Sequence, residues 1–100
     1  MMVKLLLSWD IREGQDEAYF TFIVEAFVPT LMRLGLRPTD AWYTIYGDEP
    51  KILIGAVAED LDIMTRALQS ETWAQTREKL ARYIENYRQK IIPARSTFQL

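Results

Sequence analysis

The chain has no cysteine and no histidine. Without cysteine there is no disulfide, no thiolate nucleophile and no zinc–sulfur centre. Without histidine the commonest general base, the commonest transition-metal ligand and the usual haem ligand are missing. Serine catalysis would lack its base, and no Gly-x-Ser-x-Gly, phosphate-loop or dinucleotide-binding glycine pattern occurs. Charge of one sign is also scarce. Twelve basic and 14 acidic residues leave a net charge of −2, without the concentrated basic surface that phosphate backbones require. No apolar run is long enough to span a membrane. The opening Met1-Met2-Val3-Lys4-Leu5-Leu6-Leu7 is too short for a secretion signal, and Trp9-Asp10 ends it. These absences predict a soluble cytoplasmic protein with no metal site, no cofactor, no nucleic-acid partner and no membrane partner.

Apolar residues are plentiful. They make up 49% of the 100 positions, the high end for a soluble domain. A chain of this length supports one domain over residues 1–100 and has a small interior, so some apolar surface must be covered by something else. A homodimer is the commonest solution.

Val3 to Asp10 is apolar on both faces at Leu5-Leu6-Leu7, which suits a central strand. Arg12-Glu13-Gly14 reads as a turn and Gln15-Asp16-Glu17 as a helix start. The stripe Phe20, Ile23, Val24, Phe27, Leu31, Leu34 follows a helical period, with Tyr19, Phe22 and Ala26 beside it. Pro29 inside that helix predicts a kink near Glu25 to Val28, and Gly35 stops it. Thr39 to Tyr46 and Lys51 to Ala58 read as a hairpin joined at Gly47-Asp48-Glu49-Pro50. Asp60 and Ser70 are helix N-caps. Trp73, Leu80, Ile84, Tyr87 and Ile91 predict one long helix ended by Pro93, and Ala94 to Leu100 a last strand. The resulting order is that of an α+β, ferredoxin-like βαββαβ domain: an antiparallel four-stranded sheet with helices on one face. The other face has no cover within the chain.

Trp9-x-Ile11 at the end of the first strand, the Gly14 turn and the aromatic helix at Tyr19 form a recognisable series. It continues with Trp42, Ser70-Glu71-Thr72-Trp73 and Phe98. In this order the sequence resembles the dimeric α/β-barrel superfamily, including antibiotic-biosynthesis monooxygenase-like and NIPSNAP-like domains, over nearly its whole length. The resemblance implies two sheets facing each other across a dimer and a cleft between sheet and helices that takes a small organic ligand. It also implies a histidine in several active members, near the helix opened by Ser70. This chain lacks it, so the resemblance speaks for fold more than for chemistry.

One sheet face is expected to collect Leu6, Ser8, Asp10, Trp42, Thr44, Tyr46, Arg95, Thr97 and Gln99. Apolar walls with few polar anchors suit a small-molecule pocket, and they equally suit a dimer interface. Asp10 is the candidate catalytic base. It is alternatively a turn carboxylate that bonds local amides or pairs with Arg12. Ser8, Trp42, Thr44, Tyr46 and Arg95 are the candidate ligand-binding residues; Arg95 would meet a carboxylate, or simply face solvent. Glu59-Asp60-Leu61-Asp62 reads as a helix start and not as a cation loop. Two functions remain open: a small-molecule-binding protein, extending to a cofactor-independent enzyme on an organic substrate, and a noncatalytic homodimeric assembly module.

Overall fold

The computed structural model describes residues 1–46 and 49–94. Four strands form one antiparallel sheet in the order β2-β3-β1-β4. They are β1 (Val3–Ile11), β2 (Arg37–Tyr46), β3 (Glu49–Ala58) and β4 (Ile84–Pro93). Helices α1 (Asp16–Phe22) and α2 (Val28–Arg33) connect β1 to β2, with a π-helical turn over Ile23–Phe27 between them. Helices α3 (Leu61–Gln69) and α4 (Glu71–Leu80) connect β3 to β4. This is the expected ferredoxin-like βαββαβ arrangement.

Strand alternation decides what is buried. Val3, Leu5, Leu7, Trp9 and Ile11 of β1 and Ile52, Ile54, Ala56 and Ala58 of β3 form the core with Tyr19, Phe27, Leu31, Met64, Trp73 and Leu80 of the helices. The intervening residues Lys4, Leu6 and Ser8 are only half-buried, because they point to the opposite face.

The kink expected before Pro29 is a π-turn. The Val28 amide donates to the Ile23 carbonyl, five residues back. One residue more than an α-turn is thus spent just before the proline, whose missing N–H and ring disturb the ladder there. The extra residue also rotates the helix surface. Tyr19, Phe27 and Leu31 are buried, while Phe20 and Val24 of the expected stripe are exposed. Gly35 then ends α2 with φ 87°, and the Leu36 amide reaches back to the Leu31 carbonyl at 2.9 Å, a Schellman-type closure. Both later caps are formed: Asp60 Oδ1 accepts from the Ile63 amide at 2.9 Å and Ser70 Oγ from the Trp73 amide at 3.1 Å.

The expected long helix is corrected. Helix α4 stops at Leu80, and Ile84 to Pro93 is the edge strand β4 rather than a helical continuation. The Tyr83 amide donates to the Leu80 carbonyl at 2.9 Å, tightening the last turn, and the Arg12 amide takes the Tyr83 carbonyl at 2.8 Å. A bulge explains the misleading period. Ser8 pairs with Arg88 and Asp10 with Glu85, so Trp9 alone lies opposite both Asn86 and Tyr87. Asn86 takes the strain with φ 59°, a left-handed conformation that asparagine tolerates better than most residues. The inserted residue puts Ile84 and Tyr87, three apart, on the helix-facing side, and Ile91 pairs with the core residue Leu5. Steps of three and four thus arise in a strand. The strand expected over 94–100 lies, beyond Ala94, outside the described residues. Among the described residues no helix is long and apolar enough to cross a membrane.

Candidate functional site

The sheet face away from the helices is built in cross-strand rows. One row runs Trp42, Leu53, Ser8, Arg88 from β2 through β3 and β1 to β4. The next runs Asp40, Gly55, Leu6, Lys90. Directly opposite residues point the same way, so each row is a line of neighbouring side chains. Leu6, Ser8, Leu53, Arg88 and Lys90 line a depression of about 320 Å³. Its floor is leucine and serine, and its β4 rim carries two cations. Trp42 stands beyond Leu53 with 62% of its surface exposed. From the row beyond, Lys4 reaches over Gly55 to form an ion pair with Asp40 of the second row. A Cβ on Gly55 would meet Lys4 Cε at 2.6 Å and Asp40 Oδ2 at 2.9 Å, so the bridge exists because this position has no side chain.

The structure places Ser8 and Trp42 on one face, with Asp10 one row further on, where it pairs with Lys51 and Glu85. Asp10 does not line the depression. It is only 7% exposed, and Asn86 Nδ2 donates to its Oδ2 at 2.7 Å. Its Oδ1 is buried without a hydrogen-bond partner. The pairing with Arg12 does not form: Arg12 lies 3.9 Å from Glu85 and reaches the Ala81 carbonyl. Thr44 pairs in register with Lys51 and Tyr46 with Glu49, which places their backbones in the rows that follow Trp42. Arg95, Thr97 and Gln99 lie outside the described residues. The cations observed on the face are Arg88 and Lys90, which the sequence reading assigned to a helix. Their signal was the alternation Arg88-Gln89-Lys90, hidden by the bulge before it.

Around Trp9 the space between sheet and helices is packed with side chains of the described residues. Trp9 is the hub: its ring is stacked on Tyr87 at 6.0 Å and meets Phe27 edge-on at 5.8 Å. Its indole N–H donates to the Tyr19 hydroxyl at 2.8 Å. Phe27 continues to Trp73 at 6.0 Å. The Arg77 guanidinium lies 4.3 Å from the centre of the Tyr87 ring, and the Tyr87 hydroxyl donates to Gln89 Oε1 at 2.7 Å. Burial pushes the Tyr19 phenol up to about 12, against the Trp9 hydrogen bond that lowers it. Burial pushes Tyr87 up to about 12 as well, against the opposing charge of Arg77. Both phenols stay neutral through the physiological range and act as packing groups and hydrogen-bond partners.

A larger hollow of about 660 Å³ lies outside α1, beside Glu17, Thr21, Glu25 and Tyr83. Its polar groups follow one helix ridge and do not converge. Among the described residues no group of three or more acidic side chains is arranged to hold a metal ion.

No protein-family model matches the sequence, and no curated protein is significantly similar to it. Solved structures do match. A NIPSNAP family protein from Agrobacterium tumefaciens superimposes with a TM-score of 0.74 at 16% identity, over 96% of this chain and 95% of that one. SnoaB, a cofactor-independent oxygenase from Streptomyces nogalater, superimposes with a TM-score of 0.70 at 16% identity, over 96% and 95% of the two chains. A candidate antibiotic biosynthesis monooxygenase from Nitrosomonas europaea gives 0.67 at 10% identity, over 93% and 89%. What is shared at such identities is the fold, and in fold this chain is a ferredoxin-like α+β domain of the kind seen in NIPSNAP and antibiotic-biosynthesis monooxygenase proteins.

Proposed function

We propose that the chain works as a homodimer that binds a small organic molecule on its open sheet face. The observation that carries this reading is the depression over Leu6, Ser8 and Leu53 beside exposed Trp42. It lies on a face that no described element of the chain covers. A volume near 320 Å³ is at the lower end for a small-molecule site, and such sites bury most of their ligand. A second copy laid over this face supplies the missing wall and also covers Trp42. Asp10 stands two residues from Ser8 along β1, roughly 6.8 Å away at strand rise. It lies outside the depression with a buried, unpartnered Oδ1, so it serves as base only for a bound molecule that extends past Ser8 to reach it. The likeness to a cofactor-independent oxygenase is consistent with chemistry that needs no cofactor.

Nile red, a neutral apolar fluorophore, tests the site. Saturable binding is expected in the native protein, weakened severalfold by Trp42→Ala and by Leu53→Glu. Unchanged saturation in both variants would put the ligand elsewhere. The alternative, a dimer that assembles but holds no ligand, draws on the packed interior around Trp9; absence of saturable binding in a proven dimer would favour it. Asp10→Asn is expected to leave dye binding intact and to abolish any turnover.

A further inference from the structure

We infer that the ligand of this face is an anion with an apolar body, and that Arg88 and Lys90 hold its charge. The inference rests on the binding reading above and names its ligand class. Arg88 and Lys90 are two residues apart on β4, so both side chains leave the same face of the strand. They pair in register with Ser8 and Leu6, and all four line the depression. Among the described residues neither cation makes an ion pair. By contrast Lys4, on the same face nearer the centre of the sheet, is engaged by Asp40 across Gly55.

The side opposite the cations is apolar. Leu53 is flanked by Ser8 on one side and Trp42 on the other. The arrangement is thus polar at the β4 edge and apolar toward β2, with a hydroxyl between. A carboxylate or sulfonate would accept hydrogen bonds from the Arg88 guanidinium and the Lys90 ammonium, with Ser8 Oγ as a third donor. Its apolar body would lie over Leu53 toward the Trp42 ring. A neutral molecule would leave two cations beside an apolar floor without compensation once a second copy excluded water.

The competing use of these cations is a pairing with carboxylates of the second copy, whose identical face carries Asp10 and Glu85 in the row beside Ser8. The two uses differ in what Arg88 and Lys90 control: ligand charge selectivity in one, dimer affinity in the other.

A pair of probes that differ only in charge separates them: naphthalene-2-carboxylate and naphthalene-2-carboxamide. Calorimetric titration is run on the native dimer and on the Arg88→Gln/Lys90→Gln variant, with subunit number followed by light scattering. The carboxylate is expected to bind about tenfold to a hundredfold more tightly than the carboxamide, the range of one or two charge-assisted hydrogen bonds. That preference should vanish in the double variant while carboxamide affinity and the dimer persist. Equal affinities of the two probes in the native protein would overturn the inference and leave the binding reading standing. So would a variant that keeps the preference, or one whose dimer dissociates without loss of preference. If neither probe binds, the binding reading itself fails and the inference goes with it.

Discussion

Replacing Trp9 by phenylalanine should expose how much of this fold rests on one buried pair. The indole is fully enclosed, and its N–H donates to the Tyr19 hydroxyl at 2.8 Å. Trp9→Phe removes the donor and part of the ring that stacks on Tyr87 and touches Phe27. The hydrogen-bond component costs about 1–3 kcal/mol, because the hydroxyl of Tyr19 is left buried without its partner. The lost indole volume adds a cavity component, for a total of about 3–4 kcal/mol. That is a large share of the ~5–15 kcal/mol available to a domain of this class. Tyr19→Phe strands the same bond from the other side and costs about 1–2 kcal/mol. In the double variant the bond is lost once and no polar atom is orphaned, so the two effects should fall short of additivity by about 1–2 kcal/mol. Urea unfolding at fixed protein concentration measures all four corners of the cycle. Additivity within about 0.5 kcal/mol would refute the reasoning, since it would mean that the bond contributes nothing specific to the pair.

Three further outcomes are expected. At the bulge, Asn86→Ala should be less stable than Asn86→Gly by about 1–2 kcal/mol, the cost of a left-handed backbone at alanine, because both lose the same bond to Asp10; equal stabilities in urea melts would mean that the backbone there is not strained. Gly55→Ala should destabilise by about 1–3 kcal/mol through overpacking against the Lys4–Asp40 bridge, and Asp40→Ala in the same chain should recover part of the loss in thermal melts. Absorbance at tyrosinate wavelengths should show a last phase near pH 12 that disappears in part with Tyr19→Phe and in part with Tyr87→Phe. Because both phenols are raised from 10.0 to about 12, the folded state holds its protons more tightly than the unfolded one. Stability is then fully present below pH 10 and lost progressively as pH rises from about 10 to 12; a melting temperature flat across that window would contradict the burial of these rings.

The first three strands were legible in the sequence. Val3 to Ile11 and the hairpin are marked as strands by short apolar runs between turn residues, and Asp60, Ser70 and Gly35 mark helix ends by well-understood local chemistry. The failure at Ile84 to Ile91 has a specific cause. A bulge inserts one residue opposite Trp9, and its left-handed residue is an asparagine rather than the glycine that would have signalled it. The apolar spacing then mimics a helix, and no glycine or proline stands at Ala81 to Tyr83 to stop α4. The same bulge concealed Arg88 and Lys90, so the β4 wall of the candidate site could not be read. On the other three strands the face assignment needed only period-two alternation, and Ser8 and Trp42 came out together.

Native mass spectrometry of gently purified protein tests the central claim most directly, because it reads subunit number and any retained molecule at once. The account predicts a dimer carrying a reproducible added mass that is lost in Leu53→Glu. A bare monomer at micromolar concentration would contradict it, because the open sheet face would then need no cover and the depression over Leu6, Ser8 and Leu53 would have no second wall.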